Sequence, residues 1–130
     1  MLPSIIKKTL DAKKNNKKII EMWGNGLVKR EFLYIDDLVD FIYICINKLK
    51  KVPRVVNVGY DKDFTVKHFY QMVINIVDKN MKIKKKLNMP VGQKFKLLDI
   101  SVAKKFGWSP KTKIQDGILK TIKFLEQNKN

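Results

Sequence analysis

Trp23-Gly24-Asn25-Gly26-Leu27-Val28-Lys29-Arg30-Glu31-Phe32-Leu33-Tyr34-Ile35-Asp36-Asp37 is the stretch from which this chain is best read. An aromatic closes one strand, a glycine-rich turn follows, an arginine opens the next strand, and two aspartates start a helix. A flat ring beside a guanidinium suits a nucleotide. The ring walls the base or sugar, and the permanently charged fork matches phosphate oxygens.

Working outward, Ile19 to Trp23 reads as a short strand and Glu31 to Ile35 as a second. Asp36 is the expected N-cap of a helix running to about Leu49. Leu38, Val39, Phe41, Ile42, Ile44, Cys45, Ile46 and Leu49 leave that helix apolar on most sides, so it should be largely buried. Upstream, Pro3 to Asn16 predicts a helix with proline at an early position. Downstream, Val55 to Val58 reads as a buried strand closing at Gly59. Thr65 then caps a helix whose Phe69, Met72, Val73, Ile76 and Val77 form the clearest 3.6-residue stripe in the chain. Met81 to Ile83 is a possible strand, and Lys84 to Phe95 a mobile basic loop. A short helix capped by Ser101 stops at Gly107, and a final helix covers about Ile114 to Gln127. No internal repeat appears. The expected fold class is α/β, helices packed on short strands in one domain over residues 1–130.

Size and composition bound the function. A chain of 130 residues with 45% apolar content is long enough for a modest core and too apolar for disorder. No apolar run approaches the ~20 residues of a membrane span, and no signal peptide is indicated. The lone Cys45 excludes an internal disulfide and fits a reducing cytoplasm, as a buried inert thiol. A net charge of +16 invites a polyanion-binding reading. Against it, only Arg30 and Arg54 are arginine; the other 26 basic residues are lysines spread along most of the chain. Specific nucleic-acid readers lean on arginine and interleaved aromatics, so no specific nucleic-acid partner is expected.

The Trp-Gly-x-Gly turn leading into Arg-Glu-Phe-Leu and an Asp-Asp pair resembles the extended short-chain dehydrogenase/reductases that act on nucleotide sugars, the NAD-dependent epimerase/dehydratase family, and within it the GDP-L-fucose synthase branch. Further agreement lies in Leu2-Pro3-Ser4-Ile5, in Lys96-Leu97-Leu98-Asp99, in Phe106-Gly107-Trp108 and in Asp116-Gly117-Ile118. The resemblance implies a small substrate-binding domain without the Rossmann cofactor domain. It implies substrate contacts at Lys8, Trp23 and Arg30, and Lys96 is a candidate phosphate or sugar contact. Val91 stands where the family has a substrate-contacting aspartate, and Phe95 replaces an arginine; these departures leave the sugar nucleotide open.

Each contact also has a plain structural reading: Arg30 paired with Glu31 or Asp37, Trp23 in the core, Lys8 and Lys96 merely solvated. His68 has no partner nearby in sequence and is read as solvated or packed, and no ligand set suits a metal. The chain shows no Gly-x-x-Gly-x-x-Gly after a first strand and no Tyr-x-x-x-Lys. By resemblance, the cofactor domain, the catalytic Ser/Tyr/Lys group and a catalytic histidine would lie upstream of Met1. NADP would serve the intact enzyme and be bound by none of these residues, and the intact enzyme would be a homodimer. The partner expected here is a missing Rossmann domain or a separate N-terminal subunit, besides the nucleotide sugar itself. The expected function is the C-terminal substrate-binding portion of an NADP-dependent epimerase/reductase acting on GDP-4-keto-6-deoxymannose. Two alternatives remain: a fragment of an epimerase or dehydratase of a UDP-, dTDP- or CDP-sugar, and a basic polyanion-binding module.

Overall fold

The first helix, α1 (Leu2–Lys14), starts on a proline whose missing N–H costs nothing in a first turn. Its apolar stripe of Ile5, Ile6 and Leu10 is buried. The computed structural model describes residues 1–128. Asn16, at φ 54°, turns the chain out of α1 into β1 (Ile19–Trp23).

β2 (Lys29–Arg30), α2 (Ile35–Asn47), β3 (Phe64–Thr65) and α3 (Val66–Val77) follow, the last two directly joined. β4 (Lys82–Lys86) then pairs parallel with β1, in a register running from Ile19 opposite Lys82 to Trp23 opposite Lys86. α4 (Ser101–Lys105) and α5 (Ile114–Gln127) complete the chain. β2 and β3 form a separate antiparallel pair, Lys29 with Thr65 and Arg30 with Phe64. The architecture is α/β: α1, α3 and α5 pack around Ile20 and Met22 of β1 in the main core. A smaller cluster joins Phe41, Ile100, Ala103 and Trp108.

Several elements follow the sequence pattern closely. β1 and the start of α3 are where they were expected, and the Thr65 hydroxyl accepts the His68 N–H at 3.2 Å as a true N-cap. Phe69, Met72, Val73 and Val77 are buried along α3. α5 covers the expected residues, and its Ile118 and Ile122 are buried.

Other elements differ, each for a tertiary reason. Residues 31–34 do not form a strand. The Glu31 carboxylate instead accepts the N–H groups of Asp61 at 2.8 Å and Leu98 at 2.9 Å, while Phe32 packs edge-on against Phe69 at 5.0 Å. The chain is drawn inward, and α2 starts one residue before Asp36, with extended Tyr34 rather than Asp36 at the N-cap. Asp37 is buried for a different purpose: its carboxylate accepts the Thr112 N–H at 3.0 Å and the Thr112 hydroxyl at 3.1 Å. The indole of Trp108 donates to the Asp37 carbonyl at 2.9 Å, so α2 is tied to the segment leading into α5.

α2 is not largely buried. Apart from Asp37, Phe41 alone of its residues is buried, and Cys45 is half-buried. Residues 55–58 form no strand and join no sheet among the described residues. In the expected loop, Lys84–Lys86 continue β4, because β1 offers a pairing edge as far as Trp23. Ser101 is the first residue of α4, not its cap: Ile100 holds the cap position and Asp99 accepts the Ser101 N–H at 2.8 Å. No helix among the described residues is long and apolar enough to cross a membrane.

Candidate functional site

Lys8 from α1, Trp23 from the end of β1 and Arg30 from β2 meet around one cavity of about 280 Å³, closed on a further side by Pro90, Val91 and Gly92. Three residues far apart in sequence converge: α1 packs on β1, and the turn at residues 24–26 leads from β1 into β2. That turn needs glycine. Gly24 and Gly26 have φ of +68° and +77°, where a side chain strains the backbone. A Cβ on Gly24 would also run into the Val91 side chain, and one on Gly26 would come within 2.7 Å of the Met22 sulfur. Gly24 therefore lets the loop after β4 settle onto the turn and roof the cavity, while Gly26 makes room for Met22 and Lys67.

The charges in this cavity are left uncompensated. The Lys8 ammonium donates to the Glu21 carbonyl at 3.0 Å and makes no ion pair among the described residues. The nearby Glu21 carboxylate is engaged by Lys86 at 3.0 Å. That hydrogen bond above all, aided by the fields of Lys84 and Lys8, holds the Glu21 carboxyl below its ordinary pKa. Arg30 makes no ion pair among the described residues either. Glu31 and Asp37, its expected structural partners, are spent on backbone N–H groups. Its Nη1 donates to the Lys29 carbonyl at 2.6 Å and the Gln93 carbonyl at 2.8 Å, and among the described residues Nη2 and Nε have no acceptor. The guanidinium thus clips the roofing loop with one nitrogen and keeps donors for something else.

Trp23 is not a core residue. The residue is 52% exposed, an unusual state for a large apolar ring bordering a cavity. Tyr70 of α3 also lines the cavity and was not legible as a site residue from the sequence. Its hydroxyl donates to the same Glu21 carbonyl at 3.2 Å, and burial pushes its pKa above the ordinary phenol value. One backbone oxygen thereby gathers the ammonium of Lys8 and the phenol of Tyr70 at one wall. A tyrosine one residue off the apolar stripe of α3 gave no signal by spacing.

Lys96 is exposed and does not line this cavity; the backbone two residues on is held by Glu31. Val91, flagged by its departure from the family aspartate, does line it. His68 stacks on Phe64 at 5.3 Å and is exposed, away from this wall. The glycine turn is no dinucleotide loop, because it leads into a strand and not into a helix N-terminus that could hold a pyrophosphate.

Two cations without ion-pair partners among the described residues, an exposed indole and a buried phenol thus border one cavity. The fold is similar to part of the extended short-chain dehydrogenases/reductases. The chain is similar to the NAD dependent epimerase/dehydratase family, whose model matches residues 1–59.

The GDP-L-colitose synthase of Yersinia pseudotuberculosis is 37% identical over 130 residues, covering all of this chain and 42% of that protein. The GDP-L-fucose synthase of Azorhizobium caulinodans is 31% identical over 124 residues, 95% of this chain and 40% of its own length. In structure, the GDP-mannoheptose C4 reductase from Campylobacter jejuni with NADP bound superposes with a TM-score of 0.81 at 28% identity, over 98% of this chain and 44% of that one. The chain therefore spans about two fifths of the length of the curated relatives it matches.

Proposed function

We propose that this chain is the nucleotide-sugar-binding portion of a GDP-L-fucose synthase-like, NADP-dependent epimerase/reductase, working in the cytoplasm on GDP-4-keto-6-deoxymannose or a close GDP-sugar. The observation that carries the proposal is the convergence of Lys8, Trp23 and Arg30 on one cavity, although 22 positions separate the first from the last in the sequence. Relatives named for GDP-L-colitose, GDP-L-fucose and GDP-mannoheptose chemistry support GDP over other nucleotides.

In this reading Arg30 presents its free guanidinium nitrogens to the diphosphate, and Lys8 adds a second positive charge. Trp23 forms a flat wall for the sugar or base. A cavity of about 280 Å³ lies just below the usual range of complete small-molecule sites, so part of a nucleotide sugar would project beyond it. That projecting part would meet the groups that transfer hydride and protons. NADP supplies hydride in such a reductase; no residue described here forms the glycine loop that would hold it, and no proton transfer is assigned to this chain.

Titration of the chain with GDP, UDP and dTDP, followed by the fluorescence of half-exposed Trp23, tests the reading. Trp108, 2% exposed, contributes a constant background. Tighter binding of GDP is the expected result. A clear preference for UDP or dTDP would assign the site to another epimerase or dehydratase.

A further inference from the structure

Glu21 sets two lysines apart from the rest. Among the described residues, Lys8 and Lys86 are half-buried and every other lysine is exposed. Lys86 meets the Glu21 carboxylate, and Lys8 meets the Glu21 carbonyl. That carbonyl holds a second donor, the hydroxyl of Tyr70. Of the four tyrosines only Tyr70 is buried, at 6% exposure.

The tie joins three elements at one atom. α1 and α3 pack against each other and share the main core with β1. Each helix sends two residues, one turn apart, to the wall of the cavity: Ser4 and Lys8 from α1, Val66 and Tyr70 from α3. A role in packing alone would be served by phenylalanine, since burying a hydroxyl costs free energy unless it finds a partner. The partner it finds is the oxygen that also holds a cation of the cavity.

A carbonyl oxygen has two lone pairs and an ammonium three donors. With the Tyr70 hydroxyl on the Glu21 oxygen at 3.2 Å, one lone pair remains for the Lys8 ammonium at 3.0 Å. Fixing one N–H limits where the other two can point. Lys8 makes no other hydrogen bond and no ion pair among the described residues. Without this anchor a lysine keeps wide rotamer freedom, which a ligand would have to remove on binding.

Resting on the functional reading above, we infer that Tyr70 is a positioning residue of the anion site. Its hydroxyl fills one lone pair of the Glu21 carbonyl, confines the Lys8 ammonium to the other, and so presents that charge to the phosphates already ordered. Tyr70 acts through Lys8 and not through a ligand contact of its own. With the hydroxyl gone, the ammonium would wander over both lone pairs and the ligand would have to immobilise it.

The test is a double-mutant cycle on GDP binding. Tyr70→Phe keeps the packed ring and removes the hydroxyl, whereas Lys8→Met keeps the stem and removes the charge. Tyr70→Phe should weaken GDP binding by about fivefold, within the range for immobilising one rotamer-rich side chain on binding. In the Lys8→Met background the same change should cost less than about twofold, the scatter of independent sites. An equal loss in both backgrounds would overturn the inference, because Tyr70 would then act on the ligand or the cavity without Lys8. GDP binding untouched by Tyr70→Phe would overturn it too. A second measurement needs no ligand: NMR relaxation of the Lys8 side chain at its Cε. Lys8 should be more ordered than the exposed lysines in the parent and fall to their level in Tyr70→Phe. This comparison decides where Lys8→Met binds GDP too weakly to measure, and equal order in both proteins refutes the inference. A parent chain that binds no GDP while Tyr70→Phe still releases Lys8 sinks the proposed function and leaves the tie between the two residues standing.

Discussion

Arg30→Lys keeps the charge beside the cavity and removes the geometry. In the parent, Nη1 is committed to the Lys29 and Gln93 carbonyls, so the guanidinium plane is fixed with Nη2 and Nε available to a ligand. A lysine ammonium has three rotatable donors and no fork, so it satisfies either the Gln93 carbonyl or a phosphate oxygen well, and not both. The loss for a diphosphate is that of one hydrogen bond to a charged group, about 1.5–3 kcal/mol. Arg30 is half-exposed, which places the expected value in the lower part of that range, roughly a tenfold to thirtyfold weakening.

The loop itself should stay in place, because the Lys29 N–H still donates to the Lys94 carbonyl at 2.8 Å. The far-UV circular dichroism and melting temperature should therefore match the parent. The assay is GDP titration by Trp23 fluorescence for Arg30→Lys beside Lys96→Ala, the latter expected to bind within about twofold of the parent because a solvated lysine contact is readily replaced by water. If Arg30→Lys binds like the parent while Lys96→Ala fails, Arg30 is structural and the map of the site is wrong.

Asp37→Ala should destabilise the fold by roughly 1–3 kcal/mol, since it strips two hydrogen bonds from Thr112 and leaves a part-buried N–H without an acceptor; urea denaturation measures it, and a loss under about 0.5 kcal/mol would mean that water substitutes freely. Gly24→Ala should weaken GDP binding and lower the melting temperature, because φ of +68° and the Val91 contact both resist a Cβ; unchanged melting and binding would show that the loop yields without consequence. Tyr70, whose folded pKa is raised by burial, binds its proton more tightly in the native state. Its contribution is thus complete below the unfolded pKa of about 10 and lost as pH rises from there through the folded value. Thermal melts from neutral to strongly alkaline pH should show a decline that is shallower in Tyr70→Phe, and identical slopes would remove Tyr70 from the pH dependence.

Local physics made part of this molecule readable from its sequence alone. Ile19–Trp23 alternates between exposed and buried positions, and Phe69 to Val77 repeats with the helical period. Gly24 and Gly26 mark a turn because few other residues tolerate positive φ. Those signals depend only on neighbours within a turn or two, so they survive in one dimension. The motif from Trp23 to Asp37 carried the family, and with it three residues that meet at one cavity.

What tertiary structure decided are the matters settled by partners distant in the chain. Glu31 faces two loops instead of a neighbouring strand because Asp61 and Leu98 present N–H groups to it, 30 and 67 residues away. Tyr70 joins the site through a carbonyl 49 residues upstream, and Lys96 lies outside it because the backbone at Leu98 is tethered elsewhere. The apolar face of α2 is the sharpest case. Its composition predicts burial, which sequence can specify, but whether a surface exists within these residues to bury it depends on the whole arrangement, and here Val39, Ile42 and Ile46 remain open. Hydrophobicity fixes that a face seeks cover; only the three-dimensional packing determines what lies close enough to provide it.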